Sequence, residues 1–420
     1  MPRLCFADML LRVRLLLLCL IASAATIHTA AATTQIDEDP APIATIDLTI
    51  SADDLWQRMR NGFSMPNLNS PLVAERQAYY LNRPDILQLM INRSRRYLYY
   101  IVSELEKRGM PTELALLPMV ESAFNPRAYS SARALGMWQF IPSTGKHYGL
   151  EQNWYLDERR DIIASTTAAL DYLQYIYEMH GDWHLALASY NWGEGAVGRA
   201  IAKNKARGLP TDYASLTVPG ETRYYVPKLQ ALKNIIAEPA LFGISIEPIR
   251  NSPYFDVVDK PATMDIATVA QLAEIPIDEF IALNPAYSRP IIPDSSDSPL
   301  VLPTEKISVF RANLQQHEDD DKPLCLWKTH TLKKGEKLEA VAERNGITVA
   351  RLKQLNGITY RTKVRPGLSL LVPDSEVVGN SAYLFSTLLQ TPSSPPRAAP
   401  SKRIKKKSSA GMRRKSSKRR

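Results

Sequence analysis

From Pro71 to Ile236 the apolar side chains recur every three or four residues, interrupted mainly by turn formers, and that spacing calls for helices. Ile86, Leu87, Met90 and Ile91, then Leu98, Ile101, Val102 and Leu105, form one such pattern over Pro71 to Arg108, which Gly109-Met110-Pro111 stops. A further helix starts at Thr112 and ends before Asn125-Pro126, because a residue preceding Pro is pushed out of the α region. Pro118 falls inside it and is expected to remove one ladder bond and bend the helix. Asp161 is a good N-cap for a helix carrying Ile162, Thr166, Leu170, Leu173 and Tyr177 on one stripe. Asp182 opens another, with Trp183, Leu187 and Tyr190, that breaks at Gly193; two more run from about Glu194 to Lys203 and from Glu221 to Ile236. Residues 71–240 therefore read as an all-helical domain. The mixed stretch 33–70 reads as a lead-in, whose Trp56, Met59 and Phe63 are spaced to pack onto that domain.

The pattern then changes. Residues 328–373 read as strand, Gly335 turn, helix (Leu338, Val341, Ala342), second helix (Val349, Leu352, Leu355), Asn356-Gly357 turn and closing strand. This β-α-α-β order resembles the LysM glycan-binding module over the whole unit. Residues 255–303 repeat the order in degenerate form, with strands at Phe255–Val258 and Leu300–Pro303 and helices at Ile266–Leu272 and Asp278–Leu283. The turn Gly is missing there, and the polar insertion Asp294–Ser298 interrupts its end. Residues 304–327 read as a linker ending in the acidic run Glu318–Asp321.

At 420 residues the chain is long enough for two or three domains. Its net charge of +9 is misleading. Twelve Lys or Arg and no acid lie between Arg397 and Arg420, so the remainder carries about −3. Residues 391–420, built of Pro, Ser, Ala, Lys and Arg, are too polar to bury a core and read as a disordered basic tail. At the other end, Arg3, Arg12 and Arg14 precede a short apolar run, Leu15 to Ile21, followed by Ala22-Ser23-Ala24 and Ala30-Ala31-Ala32. Residues 1–32 thus read as a secretory signal peptide, with an uncleaved anchor or a lipidated Cys19 left open. Leu17-Leu18 before Cys19 is a poor lipidation context. With the signal removed, Cys325 stands alone, so no disulfide framework is expected. In an exported, periplasmic or envelope protein the basic tail is expected to meet anionic envelope polymers or lipids, and no nucleic acid is expected.

Four blocks within the helical region carry chemistry. The first, Pro118-Met119-Val120-Glu121-Ser122-Ala123-Phe124-Asn125-Pro126, sets one carboxylate among apolar neighbours. Such a setting raises a carboxylic pKa, which a general acid working near neutral pH requires. Taken alone, Glu121 reads as a helix-end carboxylate placed slightly against the helix dipole. The other blocks are Ala134-Leu135-Gly136-Met137-Trp138-Gln139-Phe140-Ile141-Pro142, then Ser189-Tyr190-Asn191-Trp192-Gly193, then Glu221-Thr222-Arg223-Tyr224-Tyr225-Val226-Pro227.

In this order the four blocks resemble the lytic transglycosylases of bacterial cell walls. The resemblance implies a mainly α, lysozyme-like catalytic domain that acts on peptidoglycan glycan strands. It implies one catalytic carboxylate, Glu121, acting first as acid on the bond between N-acetylmuramic acid and N-acetylglucosamine. The same group then acts as base on the C6 hydroxyl that closes a 1,6-anhydro ring, with the substrate's acetamido group replacing a protein nucleophile. By position Ser122 is expected to hydrogen-bond the acid, Gln139 to offer an amide to the sugar, Asn191 to orient the acetamido group and Tyr225 to face the acid as a donor. Trp138 stands where many relatives have Met and is expected to be an aromatic sugar platform. In the LysM unit, Gly335, Glu336, Lys337, Gly357 and Ile358 lie on the two loops that would hold glycan. Lys337 replaces the usual Thr or Ser there.

Dull readings accompany several of these residues. Gly136 and Gly193 serve tight turns, Tyr190, Trp192 and Tyr224 serve as core aromatics, and Asn191 caps a helix. His180 and His184 have half a zinc spacing, but no Glu and no third ligand accompanies them, so no metal is expected. Gly193-Glu194-Gly195 lacks the Lys of a phosphate loop, and no strand precedes a Gly-rich turn, so no cofactor is expected. Two rival functions remain. One is a muramidase pairing Glu121 with Asp157, Asp161, Asp171 or Asp182; the other is a non-catalytic, peptidoglycan-binding scaffold.

Overall fold

A computed structural model describes residues 53–294 and 298–374. The signal, lipidation and basic-tail expectations fall outside these residues. The lead-in is part of the fold. Helix α1 (Leu55–Asn61) is capped by Asp54 and buries Leu55, Trp56 and Met59 completely in the main core. The buried Glu113 carboxylate accepts from the backbone N–H groups of Ser64 (3.0 Å) and Met65 (2.8 Å) and pairs with Lys233 at 3.1 Å. That chain of contacts fastens the segment after α1 to the helices below it.

The periodic stretch 71–108 is three helices, α2 (Pro71–Leu81), α3 (Pro84–Ser94) and α4 (Leu98–Lys107). Ser70 caps α2, and Pro at the first turns of α2 and α3 loses only an N–H that has no intrahelical partner there. Next come a 3-10 turn, Thr112–Leu116, and the short α5 (Leu117–Ser122). This overturns the expectation for Pro118. It lies in the first turn of α5, where its missing N–H costs no ladder bond, and the chain changes helix type just before it. After α6 (Pro142–His147), the 19-residue α7 (Ile162–His180) starts at Asp161, whose side chain accepts from Ile163 N and Ala164 N. Helices α8 (Trp183–Trp192), α9 (Glu194–Lys205) and α10 (Gly220–Ala237) complete the helical part, with α10 packed on α2, α8 and α5.

The two small units follow. In the first, β1 (Phe255–Val258) pairs antiparallel with β4 (Leu300–Pro303) in the register Phe255↔Pro303, around α11 (Ile266–Leu272) and α12 (Ile277–Leu283). A further pair, β2 (Met264–Asp265) with β3 (Ile291–Ile292), was not legible in the residues. The stretch 304–327 is not merely a linker. It contains α13 (Ile307–Asp319), which packs on α11 and buries Phe310 in the core of the first unit, while Asn313 Nδ2 donates to Leu272 O at 2.8 Å. Ile307, Phe310 and Leu314 sit at helical spacing, but so thinly among polar residues that their stripe is easily passed over. In the second unit β5 (Trp327–Thr331) pairs with β6 (Ser369–Pro373) around α14 (Leu338–Arg344) and α15 (Val349–Leu355).

The first unit is joined to the helical part through shared cores. Leu156 is buried among the unit's apolar residues, while Phe255, Leu283 and Val301 belong to the helical core. Around this seam Asp157 N donates to Ala286 O (3.0 Å) and Ser288 N to Tyr155 O (2.7 Å). Arg96 grips Glu279 with Nη2 at 2.6 Å and Nε at 2.9 Å, and Tyr97 Oη donates to Ala282 O at 2.9 Å. Because Phe310 anchors α13, Phe310→Ala should cost about 3–5 kcal/mol, the usual range for a buried Phe. Denaturant unfolding checks this: an unchanged midpoint would return 304–327 to the status of a passive linker.

Candidate active site

Glu121 lies in the last turn of α5, and the residues after it fix where it points. Ala123 and Phe124 are both left-handed, with φ of 52° and 54°, a conformation that costs each L residue about 1–2 kcal/mol. Three contacts hold them there. Phe124 is fully buried and stacks on Tyr97 with ring centroids 6.4 Å apart. Phe124 N donates to Pro118 O at 3.0 Å, and Arg93 Nη1 donates to Ala123 O at 3.3 Å. The helix therefore stops at Ser122 and leaves the Glu121 side chain on the floor of a groove of about 560 Å³.

Burial pushes the Glu121 carboxyl up to about 7, opposed by the Tyr225 hydrogen bond and the charge of Lys228 and reinforced by Glu221. The residue is half-buried by surface exposure because the groove is open above it. Protein atoms crowd it from below, and that crowding sets the direction of the shift. The Tyr225 hydroxyl, itself buried, donates to Glu121 Oε1. Burial and Glu121's charge hold the Tyr225 hydroxyl well above its ordinary pKa, so it remains a donor throughout the working pH range.

The second block forms a wall of the groove around a turn that only glycine permits. Gly136 has φ of 86°, and a Cβ there would stand 1.9 Å from Arg159 O. Gln139, also left-handed at φ 55°, donates from Nε2 to Gly136 O (2.7 Å) and Ala128 O (3.3 Å). Its amide N–H groups thus hold the turn, leaving Oε1 as the atom it can offer to a sugar. Two expectations fail here. Trp138 is no platform: it is fully buried, and its Nε1 donates to Thr166 Oγ1 at 3.0 Å. Ser122 does not bond to Glu121; its hydroxyl donates to Met137 O at 2.8 Å and ties the first block to the second.

Opposite stand the third and fourth blocks. Asn191 lines the groove and accepts from the Thr222 hydroxyl at 2.7 Å through Oδ1, which leaves Nδ2 as a donor for the groove. Thr222, buried and part of the fourth block, was not singled out in the sequence; its place three residues before Tyr225, one helical turn away, was the available signal. Tyr190 Oη donates to Trp138 O at 2.9 Å, which ties the third block to the second. Glu194, Glu221 and Lys228 supply the remaining charges of the groove.

The rival candidates lie elsewhere. Asp161 and Asp182 cap helices, Asp171 pairs with Arg108 at 2.6 Å, and Asp157 pairs with Arg159 at 2.7 Å. His180 Nε2 meets Ser189 Oγ at 2.9 Å, and His184 Nε2 meets Pro66 O at 3.0 Å. In the second small unit Gly335 takes φ of 81° and Lys337 precedes α14 without a side-chain cap. Glu336 accepts from Lys333 N, Arg344 and His330, each at 2.9 Å, and these bonds hold its carboxyl down at about 2. Gly357 is exposed and Ile358 half-buried, and Arg289 of the first unit reaches Asn356 O beside them at 3.2 Å.

Residues 99–210 match the Transglycosylase SLT domain, 254–319 the LysM-like domain of lytic transglycosylase MltD, and 330–373 the LysM domain. The chain is 36% identical over 329 residues to membrane-bound lytic murein transglycosylase D of Escherichia coli, covering 76% of this chain and 72% of the relative. This chain belongs to that family. It is also 48% identical over 120 residues to a putative tributyltin chloride resistance protein of an Alteromonas species, covering 28% of this chain and 58% of that one. The crystal structure of the 70 kDa soluble lytic transglycosylase of Escherichia coli aligns with 25% identity and a TM-score of 0.26, over 31% of this chain and 22% of that one.

Family membership does not remove the cost of the acid. Between pH 4.5 and about 7 the folded protein keeps a proton on Glu121 that the unfolded chain has lost. The contribution to stability is whole below pH 4.5 and lost as pH rises through 7. Glu121→Gln abolishes that titration, so the variant should match the parent at pH 4 and exceed it at pH 8 by up to about 3 kcal/mol. Urea unfolding at both pH values checks this. A gain of equal size at pH 4 would mean that the stabilisation has another origin.

Proposed function

We propose that this chain is a peptidoglycan lytic transglycosylase that cuts the β-1,4 bond between N-acetylmuramic acid and N-acetylglucosamine and leaves 1,6-anhydromuramyl ends. One observation carries the reading: of the three carboxyls that line the groove, Glu121 has its pKa pushed up to about 7 and lies against a buried tyrosine donor. At neutral pH about half of such groups hold the proton that the leaving glycosidic oxygen needs. As the bond breaks, that proton moves from Glu121 to the leaving oxygen, and the acetamido carbonyl supports the positive charge at C1. Glu121, now a carboxylate stabilised by Tyr225, takes the proton of the C6 hydroxyl as its oxygen bonds to C1. No water is consumed, and the acid is regenerated.

Other residues support the same chemistry. Asn191, held at Oδ1 by Thr222, is proposed to keep the acetamido group in line, and Gln139 Oε1 to accept from a sugar hydroxyl. The four aspartates that a hydrolase reading invoked are committed to caps and ion pairs, which counts against a muramidase. We place glycan retention on the loops at Gly335–Leu338 and Gly357–Thr359 of the second small unit, with Glu336 fixing the first loop. The enzyme works in the cell envelope. Among the described residues no helix is long and apolar enough to cross a membrane. Periplasmic export and contact of the cationic carboxyl end with anionic envelope polymers are part of the proposal.

Digestion of purified sacculi followed by mass spectrometry should yield 1,6-anhydromuramyl ends; reducing ends would move the protein to the muramidase reading. Glu121→Gln keeps the side-chain shape but has no proton to give, so kcat should drop by about 10²–10⁴ while sacculus binding persists. A variant retaining a tenth of parental turnover would exclude Glu121 as the acid.

The pH profile tests Tyr225. Activity should decline as pH rises past about 7, where Glu121 loses its proton. Tyr225→Phe removes the donor that favours the carboxylate, so this limb should move to higher pH as kcat falls. A limb that stays in place would separate Tyr225 from the acid's ionisation.

A further inference from the structure

Beside the catalytic groove lies a second cavity of about 610 Å³ that shares Thr144, Tyr172 and Glu194 with it. Its other walls are Ser143, His147, Tyr148 and Tyr175. Three tyrosines and one carboxylate thus meet in one place, and no Lys or Arg lines it among the described residues. The Tyr148 and Tyr172 rings lie 5.3 Å apart at 47°, and Tyr175 is half exposed, so aromatic surface remains for a ligand. Tyr172 Oη donates to Glu194 Oε2 at 2.7 Å, which pins the carboxylate at the boundary between groove and cavity.

We propose that this cavity binds a primary ammonium group carried by the peptidoglycan substrate. The inference rests on the function proposed above and adds a substrate feature to it. A carboxylate accepts hydrogen bonds and donates none, and one oxygen of Glu194 is already satisfied by Tyr172. The other oxygen calls for a donor, and a cation is the donor that also answers its charge. Tyrosine faces attract cations as well, so carboxylate and rings favour the same ligand. A neutral sugar would exploit the rings but not the charge.

Glu194 has a simpler explanation as the first residue of α9, where a carboxylate faces the positive end of the helix dipole. That accounts for an acid at this position. It does not account for the tyrosine that pins it or for the aromatic cavity it borders. In peptidoglycan a primary ammonium comes from the diamino acid of the peptide stem or from a de-N-acetylated glucosamine. Both share the chemistry, and substrates can separate them.

The test measures kcat/KM on soluble glycan fragments in two arms. One compares stems bearing the side-chain amine with the same stems after N-acetylation. The other compares stem-free strands containing glucosamine with fully N-acetylated ones. The wild-type protein should prefer the amine form by about ten-fold in one arm, which identifies the source. Glu194→Gln should bring that ratio close to one, and Tyr175→Ala should reduce it about three-fold. Each ratio is taken within one protein preparation, so partial misfolding does not alter it. A wild-type ratio of one in both arms, or a preference that survives Glu194→Gln, overturns the proposal. Absence of anhydro products from every substrate would defeat the underlying function instead, whereas anhydro products without amine discrimination defeat only the ammonium site.

Discussion

The hydrogen bond from Tyr225 to Glu121 joins residues on α10 and α5 that are 104 positions apart, and the proposed chemistry depends on its being held. Burial alone drives a carboxyl upward until it no longer releases its proton; a hydrogen bond to the charged form draws it back. The balance near 7 suits the acid-then-base role proposed for Glu121. Nothing local sets that balance. Tyr225 is placed by α10 packing on α2 and α8, and Glu121 by the left-handed pair that ends α5.

Much of this was legible in the residues. Asp161 and Asp182 act as N-caps, and Gly193 ends α8, because caps and glycines act locally and leave local marks. The strands and helices of both small units also follow from period and turn residues. The site was legible as a set of residues but not as a set of directions. Gln139 and Asn191 line the groove, yet Gln139 spends its amide donors on its own turn. Trp138 lies beside groove residues in sequence and is nevertheless buried, because its indole N–H meets Thr166, which α7 supplies from 28 residues away. No spacing rule within the second block carries that information.

Pro118 and α13 failed for a different reason. Pro118 would break a single long helix, but the chain passes from 3-10 to α at Leu117 and puts Pro118 where it is harmless. In α13 the apolar residues are few, and their burial depends on a partner surface, Leu272 and its neighbours on α11, that a window along the sequence cannot see. Both cases are tertiary decisions written onto weak local signals.

The position of Glu121 is also maintained from outside the helical part. Ala286 of the first small unit accepts from Asp157 N, and Asp157 holds Arg159 at 2.7 Å. Arg159 Nη1 in turn donates to Arg133 O (2.9 Å) and Phe140 O (3.2 Å), at either end of the turn that Gln139 closes. From that turn Met137 O accepts from Ser122, the residue after the acid. On the far side, Arg96 and Tyr97 reach the same unit through Glu279 and Ala282, while Tyr97 stacks on Phe124. Two separate routes therefore converge on residues 121–124. A left-handed pair and a partly desolvated carboxyl are each unfavourable by a few kcal/mol, a sizeable part of the roughly 5–15 kcal/mol that keeps a domain folded. Such a site persists only if neighbouring packing removes the alternatives. In this chain the 284–290 loop of the first LysM-like unit is engaged in that packing, so the unit contributes to holding Glu121 in place whatever it does with glycan.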